Sequence, residues 1–277
     1  MIIVMSCIII GIVFALVMTL TNGLVTVWYD VWKVICLGLG GYVGGYVAYV
    51  LLAWLITLFS SGSKRVERPE KFFMWNTRQV AQVVRFHCGV RMHVSGLEKL
   101  PTDTRFLLIS NHRSNLDPIL AYEALFDYEV AFISKPANLK LPMVGRFLHK
   151  CCCLPIDREN ARNAMKTIIE AADYIKSGAV SMAIYPEGTR SRSRKMGEFH
   201  AGSFKIAQKA DAPLVISAIS GTESVGRRFP RKTDVYYDII DVIPAEEVKA
   251  EKTVELAERA RAMIAEHLAR MEDDNGK

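Results

Sequence analysis

The chain has 277 residues, 51% of them hydrophobic, with 35 Lys and Arg against 29 Asp and Glu, a formal net charge of +6 and a mean hydropathy of +0.16. An apolar average excludes a disordered chain and an ordinary soluble enzyme, because soluble chains seldom average on the apolar side. The charge is also segregated: Met1 to Tyr29 carry none, Asp30 and Lys33 are the only charged residues before Lys64, and the positive surplus belongs to the part after residue 60.

Two apolar runs come first, Ile2 to Leu20 and Val34 to Phe59. A helix needs about 20 apolar residues to cross a bilayer core, so each run is long enough. The first lacks the preceding Lys or Arg and the short central region of a secretory signal. The expectation is a membrane segment of two helices over residues 1–60 and a water-facing body over residues 61–277. Gly40 with Gly44, and Gly41 with Gly45, form two overlapping small-xxx-small patterns that suit close packing as a hairpin. Two loosely packed anchors remain the plainer alternative. Lys64, Arg65, Arg68 and Lys71 follow the second run, so the positive-inside rule puts the body on the cytoplasmic side of a cell's inner membrane. Phe72, Phe73 and Trp75 among these charges suit equally a segment in the headgroup zone or a buried helix of the body.

The six cysteines form no extracellular framework and no metal clamp. Cys7 and Cys36 lie in the apolar runs, Cys88 stands alone, and Cys151, Cys152 and Cys153 are adjacent, a spacing that cannot present tetrahedral ligands. They are expected as reduced thiols acting as small apolar residues.

From about residue 61 the pattern alternates. Apolar runs that read as strands are Arg105 to Ser110, Val130 to Ser134, Ala179 to Tyr185, Leu214 to Ser220 and Val235 to Val242. Amphipathic stretches that read as helices are Ala161 to Ile175, His200 to Lys209 and Ala245 to Met271. Near-continuous apolar strands separated by helices predict an α/β body with a mostly parallel central sheet flanked by helices.

In such sheets functional groups collect beyond the carboxyl ends of strands. The first strand ends in Asn111-His112-Arg113-Ser114-Asn115-Leu116-Asp117-Pro118. A carboxylate on one imidazole nitrogen fixes the tautomer and leaves the other nitrogen as a base. No G-x-S-x-G elbow is present, which suits a nucleophile that belongs to the substrate and is deprotonated by His112. Asp117 before Pro118 is equally a helix N-cap, and a capping carboxylate need not touch an imidazole. A third strand ends in Tyr185-Pro186-Glu187-Gly188-Thr189-Arg190-Ser191, followed by Arg192, Arg194 and Lys195. A phosphate site is the sharper reading, with Gly188 freeing backbone amides and Arg190 offering a planar donor fork; a solvated basic loop is the plainer one. Leu154-Pro155-Ile156-Asp157-Arg158 supplies another strand-end arginine. Nucleic acid is not expected, since no aromatics interleave these charges and no recognition motif occurs.

The succession NHRSNLDP, LPMVGRFLHKCCCLPIDREN, YPEGTRSRS and APLVISAISGT, over Val90 to Thr222, resembles the four motif blocks of the lysophospholipid and glycerophosphate acyltransferases. The likeness is greatest to the bacterial 1-acyl-sn-glycerol-3-phosphate acyltransferases among them. The resemblance implies transfer of a fatty acyl group from acyl carrier protein or coenzyme A to the sn-2 hydroxyl of lysophosphatidic acid, giving phosphatidic acid. It implies His112 as general base and Asp117 as its orienting partner. Arg158, Glu187, Gly188, Thr189 and Arg190 would bind the acceptor, with Arg190 the first candidate for its phosphate. Lys135 and Gly145 stand in family-like positions, and Pro213 falls in the block near which an acyl-chain tunnel is thought to run. No cofactor or metal is implied, because a thiolate leaves readily. Two other readings stay open: an acyltransferase on another lysophospholipid or on glycerol 3-phosphate, and a non-catalytic protein that adheres to anionic lipid.

Overall fold

A computed structural model describes residues 1–23, 25, 30–60, 65–188 and 196–275, the side chains of 273–275 excepted. It resolves into two compact units, Met1–Ser63 and Lys64–Lys277.

The first unit is a pair of helices, α1 (Ile2–Asn22) and α2 (Val31–Leu58). At about 1.5 Å per residue, 21 and 28 residues give roughly 31 and 42 Å, so both are long and apolar enough to cross a bilayer core. Most of their large apolar side chains face outward, Leu20 at 74% exposure among them. The two helices pack on one of the two glycine patterns. A Cβ on Gly41 would lie 3.0 Å from Gly11 Cα and from Phe14 Cβ, and one on Gly45 would lie 3.2 Å from Cys7 Sγ. Gly11 answers from α1, where a Cβ would meet Gly38 O at 2.6 Å. Gly40 and Gly44 face nothing within 4 Å, so of the two glycine patterns it is Gly41–Gly45 that meets α1, with Gly38 beside it against Gly11.

The second unit is built on a seven-stranded sheet of β1 (Val90–Ser95), β2 (Leu107–Ser110), β3 (Val130–Ser134), β4 (Leu154–Pro155), β5 (Ser181–Ile184), β6 (Leu214–Ser220) and β7 (Thr233–Ile243). Their spatial order is β1-β7-β6-β2-β5-β3-β4. β4, β3, β5, β2 and β6 all run the same way. β7 lies antiparallel on β6, and β1 lies parallel to β7. The sheet is therefore mostly parallel with a reversed pair at one edge. The helices are α3 (Lys71–His87), α4 (Asp117–Ala124), α5 (Pro136–Leu139), α6 (Val144–Lys150), α7 (Ala161–Lys176), α8 (Lys205–Ala210), α9 (Val225–Arg228), α10 (Ala245–Ala250) and α11 (Thr253–Asn275).

The connection β2–α4–β3 advances toward β4, whereas β4–α7–β5 and β5–α8–β6 return toward β1. Right-handed crossovers that travel in opposite directions put their helices on opposite faces. Accordingly α3, α4 and α6 pack together on one face, and α7, α8 and α11 on the other. Covered on both sides, β2 and β5 are buried at every residue, which is why they read as unbroken apolar runs.

Most expected elements are present, with differences that have local causes. The stretch expected as one helix from Ala245 to Met271 is broken at Glu251, whose ψ is 144°. There the Gln208 side chain donates to Val248 O and Glu251 O at 3.0 and 2.8 Å, taking up carbonyls that a continuous helix would bond internally. His200 to Lys209 divides into a 3-10 turn, Ala201–Phe204, and α8. Of the aromatics near residue 72, Phe73 is core and stacks edge-on against Phe147 at 5.0 Å, while Phe72 and Trp75 stay exposed on α3. Cys151, Cys152 and Cys153 are buried free thiols between α6 and β4.

Candidate active site

β2 ends at Ser110, and the next residue carries the ladder one step further by its side chain. Asn111 donates from Nδ2 to Ile219 O and accepts from Ile219 N at Oδ1, both at 2.9 Å. A primary amide has the same donor and acceptor as a peptide group, so the chain leaves the sheet without orphaning the polar groups of β6. His112 follows at once.

The imidazole is held from two sides. Nδ1 of His112 lies 2.8 Å from Oδ2 of Asp117, the first residue of α4. The ring stacks on Tyr185, with centroids 4.6 Å apart and planes at 25°, and Phe132 lies behind that ring at 6.2 Å. Tyr185 is buried at the exit of β5, and burial together with the Asp117 carboxylate holds its phenol well above the ordinary range. It therefore stays neutral beneath the histidine.

Asp117 is fully buried, and its bonds identify its role. Oδ2 also accepts from the backbone N–H of Arg113 and Ser114 at 2.6 and 2.7 Å, and Oδ1 accepts from Thr222 Oγ1 at 2.6 Å. The carboxylate is turned back onto the loop it closes; no side-chain cap bond forms on α4. The N-cap alternative is thereby set aside in favour of the contact with the imidazole. Two backbone N–H groups and a hydroxyl hold this buried carboxylate in place against the ring, and with Nδ1 turned to it Nε2 is the nitrogen left to face the site.

Glu187 braces the same loop from β5. Its Oε1 accepts from the backbone N–H of His112 at 2.7 Å and its Oε2 from Gly197 N at 2.9 Å. This buried carboxylate thus touches main chain on both sides of the site, a placement the motif alone does not reveal.

Arg158, beyond β4, donates from Nη2 to Tyr185 O at 3.3 Å. Gly188 has φ +76°, and a Cβ there would stand 2.8 Å from Arg158 Nη1 and 2.9 Å from His200 Nε2. The guanidinium, the second imidazole and a glycine against which both are packed are therefore gathered at the exit of β5, three residues from Tyr185, on whose ring His112 stacks. Such a cluster of cationic and polar donors around a bare backbone suits a phosphate. Thr189 and Arg190, with the basic run to Lys195, lie outside the described residues. Lys135 follows β3 directly and is exposed at the same end of the sheet. Gly145 is packed so closely on Leu139 that a Cβ would fall 2.0 Å from its carbonyl oxygen. Pro213 lies before β6, at the opposite end of the sheet, where its carbonyl accepts from Leu107 N at 3.1 Å. Among the described residues, no group of three or more His, Cys, Asp and Glu is placed to hold a metal ion.

Thr222, Asn111, Tyr185 and His200 escaped the sequence reading as site residues. Asn111, Tyr185 and Thr222 each stood at an end of a motif block, which was the available signal, whereas His200 lay outside all four.

Around this histidine–carboxylate pair at the end of a parallel strand, residues 91–220 match the family model described as Acyltransferase. Over that span the chain is similar to this family. Among named proteins, it is 29% identical over 231 residues to a chloroplastic 1-acyl-sn-glycerol-3-phosphate acyltransferase of Brassica napus, covering 82% of this chain and 64% of that one. It is 32% identical over 138 residues to a probable 1-acyl-sn-glycerol-3-phosphate acyltransferase of Mycoplasma pneumoniae, covering 48% and 51%. The chain thus spans between half and two thirds of these relatives' lengths. Its fold is similar to the crystal structure of the 1-acyl-sn-glycerophosphate acyltransferase of Thermotoga maritima, with a TM-score of 0.62 and 24% identity over 82% of this chain and 88% of that one.

Proposed function

We propose that the chain is a membrane-bound 1-acyl-sn-glycerol-3-phosphate O-acyltransferase, moving a fatty acyl group from acyl carrier protein or coenzyme A to the sn-2 hydroxyl of lysophosphatidic acid. The observation that carries the reading is the contact of His112 Nδ1 with the buried, fourfold-bonded Asp117. With Nδ1–H pinned, Nε2 removes the proton of the acceptor hydroxyl as its oxygen attacks the thioester carbon. A C–O bond forms, the C–S bond breaks, and the proton passes from the imidazolium to the departing thiolate. Asp117 stabilises the imidazolium in between, and base catalysis of this kind contributes about 10²–10⁴-fold.

Arg158 and the bare backbone at Gly188 hold the acceptor's phosphate, joined by Thr189 and Arg190 of the same motif. Fixing the phosphate sets the hydroxyl beside Nε2 and converts an encounter into an oriented reaction. Glu187 acts in this reading by bracing the backbone of His112, and Lys135 stands at the rim for the anionic acceptor. The two apolar helices of residues 1–60 anchor the enzyme in the inner membrane, and residues 61–277 form the catalytic domain on its cytoplasmic side, where the basic flank after Phe59 belongs. The lipid acceptor and membrane lipid are its partners, with no nucleic acid and no cofactor.

The test is the purified full chain in detergent micelles with labelled acyl donor and a panel of lysophosphatidic acid, lysophosphatidylcholine and glycerol 3-phosphate, wild type beside His112→Ala. Labelled phosphatidic acid from the wild type and none from the variant is the expected result. Undiminished turnover by His112→Ala would remove the catalytic claim, and preference for another acceptor would reassign the substrate.

A further inference from the structure

We propose that the end of the sheet that carries His112 docks edge-on against an anionic lipid surface, through two basic, apolar-tipped segments that flank the dyad. The inference rests on the acyltransferase reading for its purpose and on the sheet topology for its geometry.

The strand order puts β2 and β5, which position His112 and Tyr185, in the middle of the sheet. On one side lies the turn between β6 and β7. Because β7 is reversed, its start faces the same way as the end of β6, and Ser220 pairs with Tyr236. That turn therefore shares an end of the sheet with His112. It carries Phe229, 62% exposed, among the exposed Arg227, Arg228, Arg231 and Lys232, none with a side-chain partner among the described residues. It is a built feature of the body. Thr233 pairs with Val90, Gly89 is so close that a Cβ would lie 3.7 Å from Arg231 O and Lys232 Cα, and Glu223 holds Arg113 at 3.2 Å.

On the other side lies the connection from β3 to α6. Leu141 and Val144 are exposed there at 49% and 41%, next to an exposed Lys140 that has no side-chain partner among the described residues. The connection is pinned by the bond from Gly145 N to Leu141 O at 2.9 Å and by the packing of Gly145 on Leu139.

Large apolar side chains set among cations are poorly placed in water and well placed at the boundary of headgroup and acyl chain. Each Lys or Arg near an anionic leaflet strengthens attraction about fivefold. An acidic soluble protein would satisfy the cations, but two separated apolar tips on one edge, with the dyad between them, fit a planar partner better. Docked in this way, the histidine loop lies at the depth where a lysolipid presents its glycerol.

The experiment reconstitutes the full chain in nanodiscs of phosphatidylcholine alone or mixed with phosphatidylglycerol, and reads backbone hydrogen exchange at residues 225–232 and 140–146. Both segments should exchange several-fold more slowly in the anionic discs. Arg228→Glu combined with Arg231→Glu should abolish that extra protection at 225–232 and lower the acyl-transfer rate in anionic discs by at least about 25-fold, two cations worth about fivefold each having been removed. The same variant should keep the wild-type rate in neutral detergent micelles, and Phe229→Ser should weaken protection in both kinds of disc. Equal exchange in the two discs overturns the proposal. Protection that appears only when acyl carrier protein is added overturns it too, and assigns the surface to a protein. Absence of acyl transfer by the wild type in micelles would instead defeat the functional reading, while the exchange comparison would still decide the docking.

Discussion

The hydroxyl of Thr222 donates to Oδ1 of Asp117 at 2.6 Å, joining the end of β6 to the first turn of α4 across 105 residues of sequence. Both groups are buried, so the bond works in a low dielectric where its loss is felt in full. Thr222 touches no reacting atom and acts through the carboxylate that orients His112. Thr222→Val, which keeps the shape and removes the donor, is expected to lower kcat about tenfold, in line with the ~1.5–3 kcal/mol of a hydrogen bond to a charged group. Thr222→Ser restores the donor and should recover most of the rate, measured at saturating acceptor and donor. Equal rates for the Val and Ser variants would refute this role.

Replacing Asp117 by Asn exchanges a double acceptor for a group that can present N–H to the imidazole. Nδ1 then becomes the acceptor, Nε2 carries the proton, and no base faces the alcohol. The expected loss in kcat is on the order of 10³–10⁴-fold. Far-UV circular dichroism and a thermal melt accompany the assay, because Arg113 N and Ser114 N lose a charged acceptor as well. A loss smaller than about tenfold, with the fold intact, would mean that the histidine draws its orientation from Tyr185 alone.

Gly188→Ala places a methyl 2.8 Å from Arg158 Nη1 and 2.9 Å from His200 Nε2, on a backbone at φ +76° that alanine rarely adopts. The guanidinium must move, and a displacement near 1 Å in a positioning group costs up to about 10²-fold. The expectation is a raised KM for lysophosphatidic acid with the KM of the acyl donor unchanged, read from two titrations on the same preparation. A shift confined to the donor would place the acceptor's phosphate elsewhere.

The cysteine triplet yields a pH dependence. Burial pushes the Cys152 thiol up to about 12 and raises those of Cys151 and Cys153 as well. A group whose pKa is higher in the folded than in the unfolded state contributes stability that is complete below the unfolded value, near 8.5, and is lost as pH rises toward the folded one. Thermal stability should therefore decline between about pH 9 and pH 12, and Cys151→Ala should soften that decline. In native protein at neutral pH these three thiols should resist iodoacetamide and become labelled on denaturation, followed by mass spectrometry of the peptide spanning 150–158. Rapid labelling of Cys152 at neutral pH would contradict its burial.

How much of this was legible in the sequence depended on how local each cause is. β3 and β6 stood out to the residue because both their faces are covered, so apolar side chains follow one another without a break. β1 did not, since after Val90 its residues are mostly exposed and its order comes from pairing with β7, 143 residues away. β4 has two residues, too few for any pattern. The helical break at Glu251 depends on Gln208, which no window around residue 250 contains. The site divides in the same way. His112 and Asp117 are five residues apart at a strand exit, and their pairing was open to inspection. Thr222, Tyr185 and Oε1 of Glu187 reach the dyad only through the strand order, which sets β6 and β5 on either side of β2. The glycine rows of α2 were visible as a motif, but which row meets α1 is decided by Gly11 and Cys7 on the other helix.

Asn111 has one more consequence. Because an amide side chain completes the pairing with Ile219, the imidazole of His112 is attached to the sheet by a single peptide and has no slack of its own. Warming cannot loosen the reaction centre ahead of its scaffold, so inactivation and melting of the central strands should share one transition.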